Sequence, residues 1–490
     1  MKLVHVSVKR SLFYMGMAQT ASFACHFTSS IVLARYLTPA EMGIFAVGLA
    51  SIAVLGVLQS FGLQTLIVRE ERLTRSMMAT TFTINAASSV LQTFITIAVA
   101  PLGAVFLRED GVRDILFVLS VTPLIGMVSF LPGAQLERDG KFKTVALASA
   151  CTSIIGSSAT ILFAVLGHNY MSLAYGNVIG AISLSILIIF LGRGYTLVSF
   201  GVSEWRRVYQ FGVQMLAYAS IVSLGQRICE IMLGRIAGMS ALGLYNRASG
   251  INLMLWSNVQ QLISRVMLVD FATSMREDAS LRLRYILALS VMTGILWPAF
   301  AGLAMTSYPF IYLVYGAKWT AATVPLVLLA MSSIILISMT LSNELFAVTG
   351  RVATQTRLEL IRNAISIPLF IGACFVSIEA AALTRLVDSI LAWFLYRRQI
   401  EEMSGASLRD RGDVYLRSGY LTVAAVIPAA IVTYVNVGAE PTFSALILSV
   451  ILGMVFWCGA LSTIAHPLKA QLLSLSVLQG LRRTKFTASR

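Results

Sequence analysis

The sequence predicts an all-α polytopic membrane protein of about 14 transmembrane helices. Three observations carry this reading. Of 490 residues, 57% are hydrophobic and only 12% charged, against roughly 25% charged in soluble domains, and the mean hydropathy is +0.81. Apolar runs of about 20 residues recur from end to end, each long enough to cross a hydrocarbon core about 30 Å thick. The basic residues sort by side, as described below. The runs are continuous rather than short and alternating, which argues against a membrane β-barrel.

The first helix, 11–35, follows the basic start MKLVHVSVKR. It is a full-length apolar run without the short core and small-residue cleavage site of a signal peptide, so it reads as a retained span. Helices at 40–66, 76–106, 113–136, 142–166 and 169–192 complete a first lobe, 1–200. Helices at 208–234, 240–268, 284–314, 321–347, 353–376 and 378–397 form a second lobe, 201–400. Helices 416–437 and 442–465 occupy 401–465, and 466–490 reads as a basic cytoplasmic tail with Lys469, Arg482, Arg483, Lys485 and Arg490. The longest polar connection, RRQIEEMSGASLRDRGDVYLR, is charge-balanced and reads as a solvated cytoplasmic loop. No segment is large enough for a separate soluble domain.

With an even number of spans and a cytoplasmic N-terminus, the outward loops hold only Arg35, Arg108, Arg113, Arg235 and Lys318 as basic residues. The inward side holds Arg69, Arg72, Arg75, Arg138, Lys141, Lys143, Arg206, Arg207 and the tail, among others. This asymmetry places both termini of the multi-pass protein in the cytoplasm, and a shift by one helix would invert it. The net charge of +15 is therefore explained by orientation, with no nucleic-acid partner implied. Cys25, Cys151, Cys229, Cys374 and Cys458 lie in apolar runs without CxxC spacing and read as membrane-buried hydrophobes. There is no GxxxxGK[ST] loop, no His/Cys/carboxylate cluster with metal spacing and no nucleophile–base pairing. No cofactor, metal or catalytic residue is predicted.

Two pairs of segments repeat. ARYLTPAEMGIF, from Ala34, aligns with GRIAGMSALGLY, from Gly234, setting Arg35 on Arg235, Gly43 on Gly243 and Phe45 on Tyr245. LERDGKFKTVALA, from Leu136, aligns with FAVTGRVATQTRL, from Phe346, setting Gly140 on Gly350 and Lys141 on Arg351. Both anchors join equivalent helices, an even number apart. The chain thus reads as a parallel duplication, an arrangement that places a transport path between two lobes.

Charge at the bilayer centre costs at least ~2.5–3.5 kcal/mol per residue, so each instance needs a reason. In GQRICEIMLGRIAG, Arg227 and Glu230 share a helix face. Arg235 follows at the outer end and Arg247 near the start of the next helix. Together Arg227, Arg235 and Arg247 are candidates for an outward-facing cationic patch, with Arg35 at its mouth. A guanidinium offers a planar fork of donors suited to a diphosphate. The competing readings are a self-neutralising pair for Arg227 and Glu230, and snorkelling to the interface for Arg35 and Arg235. In LTRLVDSIL, Arg385 and Asp388 form either a structural pair or a cavity-facing, ion-coupled one. His26 is either a satisfied polar residue or a titrating group.

At these residues a resemblance emerges. VLARYLTPAEMGIFAVGLA resembles the first-repeat signature of the bacterial polysaccharide flippases, and LGRIAGMSALGLYNRAS their second. YGAKWTAATVPLVLLA is a further landmark. These proteins belong to the multidrug/oligosaccharidyl-lipid/polysaccharide exporter superfamily. The resemblance covers nearly the whole chain. It implies two six-helix bundles around a central cavity plus two C-terminal helices. It also implies an undecaprenyl-diphosphate-linked oligosaccharide as substrate, turned outward by alternating access for O-antigen, capsule or exopolysaccharide synthesis. It further implies residence in the bacterial inner membrane, with membrane lipids, a polysaccharide polymerase and export machinery as its surroundings. The main alternative is a multidrug antiporter of the same superfamily, which would be expected to carry a buried carboxylate in the drug-binding lobe. The first helix has no acidic residue. A membrane-embedded polymerase or glycosyltransferase would need larger outward loops, and a non-transporting scaffold would not need a parallel repeat.

Overall fold

The computed structural model describes residues 20–56, 62–70, 73–196, 198–276, 280–435, 439–464 and 466–469. Arg72 and the basic tail beyond Lys469 lie outside the described residues. So does the start of the first predicted helix, which is described as α1 over 20–36.

The chain clusters into two units, Met1–Leu244 and Tyr245–Arg490. The first unit holds α1, α2 (Pro39–Gly56), α3 (Leu63–Arg69), α4 (Arg75–Leu107), α5 (Asp110–Leu119), α6 (Thr122–Arg138), α7 (Phe142–Val165), α8 (Met171–Leu191) and α9 (Trp205–Ala237). Helix α10 (Met239–Arg276) begins there and continues into the second unit. The second unit holds α11 (Leu281–Met305), α12 (Ser307–Tyr315), a 3-10 turn at Ala317–Ala322, α13 (Thr323–Ile337), α14 (Ser342–Val348), α15 (Val352–Cys374), α16 (Ile378–Ser404), α17 (Leu408–Val435) and α18 (Phe443–Thr463). Among the described residues, 9 segments are long and apolar enough to cross a membrane. They are α2, α4, α5–α6, α7, α8, α11, the stretch through α13–α14, α17 and α18. Helices α1, α9, α10, α15 and α16 fall on the other predicted segments and carry more polar residues.

The described division of the chain falls at Leu244, whereas the sequence puts the lobe boundary at residue 200. Helix α9 packs on α2, α3 and α4 and so lies in the first unit. The reason is local. Gly43 on α2 and Gly243 on α10 cross at backbone contact. A Cβ on Gly43 would stand 1.9 Å from the Met239 carbonyl oxygen, and one on Gly243 1.8 Å from that of Pro39. Residues 39 and 239 are themselves a repeat pair, so the two copies of the motif clasp each other reciprocally. Thr38 starts α2 with a capping box: its backbone N–H donates to Glu41 Oε2 at 2.7 Å and its hydroxyl accepts from the Glu41 N–H at 3.2 Å.

The second anchor pair is as regular. Gly140 (φ +68°) and Gly350 (φ +71°) both adopt the left-handed conformation after α6 and α14. Lys141 N–H returns to Leu136 O at 3.0 Å and Arg351 N–H to Phe346 O at 2.9 Å. These are matching Schellman closures, for which glycine is the favoured residue.

Two membrane segments are broken, again at equivalent places. The first breaks at Ser120–Val121 between α5 and α6, where Pro123 supplies no N–H. Thr122 Oγ1 donates to Leu119 O at 2.7 Å and Thr93 Oγ1 to Ser120 O at 2.9 Å, satisfying the freed carbonyls. The second breaks at residues 338–341 between α13 and α14, with Leu341 at φ +64°. There Trp297 Nε1 donates to Ile334 O at 2.8 Å and Tyr415 Oη to Ser338 O at 2.8 Å. In hydrocarbon such carbonyls must find partners within the protein.

The polar connection expected as a solvated loop is instead mostly helical. α16 runs to Ser404 and α17 starts at Leu408, leaving only residues 405–407 between them. Gly405 (φ +70°) ends α16. Ser407 and Asp410 cap α17, with the Ser407 N–H on Asp410 Oδ2 at 2.9 Å and the Asp410 N–H on Ser407 Oγ at 3.2 Å. Arg411 within this stretch is only 1% exposed, and its Nη2 donates to Arg397 O at 3.3 Å. The stretch is helical rather than a loop, and Arg397, Arg398, Glu401, Glu402 and Arg409 on it are exposed.

Candidate functional site

The four candidate arginines have different surroundings. On α9, Arg227 Nη1 lies 2.8 Å from Glu230 Oε2, and its side chain is 36% exposed. Gln226 Nε2 also approaches Glu230 Oε1, at 3.5 Å. Arg235, eight residues on, sits with its guanidinium 5.6 Å from the Phe106 ring centre, at the end of α4. Arg35, at the end of α1, is exposed. All three belong to the first unit.

Arg247 belongs to the second unit and is 7% exposed. Its guanidinium lies 4.5 Å from the Tyr315 ring centre and 4.6 Å from that of Trp319. Both rings come from the segment singled out as a landmark, so that landmark builds an aromatic clamp on an arginine. Cation–π contacts in a desolvated site are worth about 2 kcal/mol or more.

The second unit also carries an ion-pair network between α15 and α16. Asp388 is 6% exposed. Arg362 grips it bidentately, Nε to Oδ1 at 2.8 Å and Nη2 to Oδ2 at 2.7 Å. Ser366 Oγ donates to the same carboxylate. Arg362 Nη1 reaches Glu359 at 3.3 Å, and Tyr396 Oη donates to Glu359 Oε1 at 2.8 Å. Arg385 turns elsewhere: its Nε lies 3.3 Å from Tyr245 Oη and its guanidinium 4.4 Å from the Phe370 ring centre. Asp388 is thus held by a residue on the neighbouring helix. The Glu359–Arg362 spacing, well inside a predicted span, was the signal for it. His26 is exposed on α1.

Two cavities lie apart from these charges. In the second unit, α11, α17 and α18 enclose an apolar groove of about 680 Å³ lined by Pro298, Leu303, Ala429, Val450, Met454 and Trp457, among others. Pro298 leaves the Gly294 carbonyl without its helical donor; Trp457 Nε1 supplies one at 2.9 Å. In the first unit, α2, α4, α6, α7 and α8 surround a cavity of about 670 Å³. Its polar wall includes Asn85, Ser89 and Gln92. A reading that weighed only charge passed over these neutral residues. Among the described residues, no group of three or more His, Cys, Asp or Glu could hold a metal ion.

Comparison with known proteins places this architecture. The sequence profile of a polysaccharide biosynthesis protein family matches residues 32–324. The lipopolysaccharide biosynthesis protein WzxC of Escherichia coli (strain K12) is 23% identical, over 82% of this chain and 82% of its own length. The succinoglycan biosynthesis transport protein ExoT of Rhizobium meliloti (strain 1021) is 23% identical over 67% of each chain. Among solved structures, the lipid II flippase MurJ in an inward closed conformation superposes with a TM-score of 0.76 at 15% identity, over 92% of this chain and 98% of that one. An inward-facing MATE multidrug transporter superposes with a TM-score of 0.56 at 14% identity, over 79% and 96%. The fold is therefore that of the MurJ and MATE transporters, and with its profile matched over more than half its length the chain belongs to the polysaccharide biosynthesis protein family.

Proposed function

We propose that this protein is a flippase that moves undecaprenyl-diphosphate-linked oligosaccharides from the cytoplasmic to the periplasmic leaflet by alternating access. The observation that carries the reading is a member of a polysaccharide biosynthesis family built almost entirely of membrane helices. A relative named as a transport protein and the transporter fold support it. Such a body contributes passage. Its apolar groove suits a polyprenyl chain, since a wall of Leu, Val, Ala and Met at membrane level offers packing to an aliphatic tail and no partner to a sugar or a phosphate. The chain acts as a transporter rather than an enzyme, with 14 crossings, both termini in the cytoplasm and residence in the bacterial inner membrane. Its partners are the lipid-linked substrate and the polymerase and export machinery that consume it.

Arg227, Arg235 and Arg35 are the first unit's candidates for the diphosphate. Arg227 leads, because its guanidinium is partly exposed and already oriented by Glu230. Arg247, stacked between two rings, acts by shaping the second unit. The test is the sidedness of lipid-linked oligosaccharide in cells lacking the protein. Wild type is expected to relieve a cytoplasmic-leaflet accumulation. Arg227→Glu is expected to lower the rate roughly 10-fold or more, the worth of a charge-assisted hydrogen bond replaced by repulsion. Full relief by Arg227→Glu would remove that residue from the site. Absence of any accumulation would remove the function.

A further inference from the structure

The cavity of the first unit is built differently from the groove of the second. One wall is α4, where Asn85, Ser89 and Gln92 recur at helical spacing on a single face. Another is α6, where Thr122, Gly126, Ser129, Gly133 and Glu137 do the same. Between them these faces present amides, hydroxyls and bare backbone. Glu137 is the single ionisable group among the described lining residues, and no cation lines the cavity there. An anion such as a diphosphate finds no counter-charge in it.

The glycines on α6 border open space rather than packed protein. A Cβ on Gly126 would meet no atom within 4 Å, and one on Gly133 only the end of Ile188, at 3.8 Å. Neighbouring protein therefore does not require glycine at either position, unlike Gly43. Gln92 is 3% exposed, and its Nε2 reaches Ile52 O at 3.4 Å while its Oε1 has no protein donor. The adjacent break between α5 and α6 fits the same picture, because irregular backbone at membrane depth is tolerated where it lines a cavity.

We propose that this cavity binds uncharged sugar units of the transported lipid. A neutral sugar carries hydroxyls that both donate and accept, which amides and hydroxyls match, and C–H faces that suit Phe130 and Met127 on the same wall. Its volume of about 670 Å³ lies within the range of small-molecule sites, roughly 300–1,000 Å³. A uronic acid would face Glu137 with like charge. The proposal rests on the flippase reading and adds to it where the glycan is read and which glycans are favoured.

The test measures binding of three probes to the full-length protein in lipid nanodiscs. They are undecaprenyl diphosphate, the same lipid bearing a neutral hexose, and the same lipid bearing a hexuronic acid. Wild type is expected to bind the neutral glycolipid roughly 10-fold more tightly than the bare lipid, with less gain for the uronic acid. Gly126→Leu fills the space from a position with room for it, and Asn85→Leu removes a half-buried amide from the α4 wall. Each is expected to bring the ratio of neutral glycolipid to bare lipid close to one. A ratio kept by both variants, or no sugar preference in wild type, would overturn the sugar site while leaving the flippase reading in place. Failure of wild type to bind any of the three lipids would overturn both.

Discussion

Asp388 shows how a buried charge is tolerated in this protein. Its two oxygens take both arms of Arg362 and the hydroxyl of Ser366, so its charge is matched where α15 and α16 pack. Such a pair adds little net stability over an apolar replacement, but breaking it by halves is expensive. Asp388→Ala is expected to cost about 3–5 kcal/mol, because Arg362 keeps its charge without its main partner. Asp388→Ala combined with Arg362→Met should recover most of that loss. Thermal unfolding of the purified variants in detergent checks both, and equal instability of single and double variants would refute a structural pair. The sequence made Asp388 and Arg227 legible because charge is conspicuous in apolar runs. The spacing of Glu359 and Arg362 marked a second charged site in a predicted span, but that Arg362 would close on Asp388 follows from helix packing, which spacing does not give. Arg385, three residues from Asp388, goes instead to Tyr245 and Phe370. Gln92 was illegible for another reason: neutral polar residues are inexpensive enough in membranes to pass as background, and only the cavity shows what they face.

At the scale of elements, the duplication explains the repeated motif. The sequence drew attention to Arg35 and Arg235, yet the residues that enforce the match are the glycines between them. Gly43→Val and Gly243→Val should each force the crossing of α2 and α10 apart, since a side chain would meet backbone oxygen at under 2 Å. A loss of at least about 1–3 kcal/mol is expected for each. Gly126→Val, which meets open space, should cost far less. Comparing the three by detergent unfolding tests whether close approach or helix propensity sets the penalty; equal losses would favour propensity. Trp457→Phe tests the α11 groove separately. It keeps the ring but leaves the Gly294 carbonyl without its donor, at an expected cost of about 1–3 kcal/mol. The helices and both repeat anchors were legible from apolar runs and from the Gly140 and Gly350 turns. The breaks at residues 120–121 and 338–341 were not, because the apolar runs continue across them and the carbonyls they free are satisfied by Thr93, Trp297 and Tyr415 from distant parts of the chain.

At the scale of the molecule, loop charge and substrate passage make linked claims. In the proposed orientation the connection after α4 lies outside and the one after α6 inside, as the charge asymmetry predicts. In a cysteine-free background, Arg108→Cys should react with an impermeant thiol reagent in intact cells, and Lys141→Cys only after permeabilisation. The reverse pattern would invert the protein and with it the direction of transport. The proposed passage is supported by a family that builds polysaccharide, a polar cavity in one unit and an apolar groove in the other. The most direct measurement reconstitutes the purified protein in liposomes carrying an undecaprenyl-diphosphate oligosaccharide in both leaflets. A membrane-impermeant enzyme that modifies the sugar then titrates the outer pool. The account predicts that the protein makes the inner pool accessible as well, and that Arg227→Glu slows this. Protection of the inner pool at the rate of protein-free liposomes would contradict it.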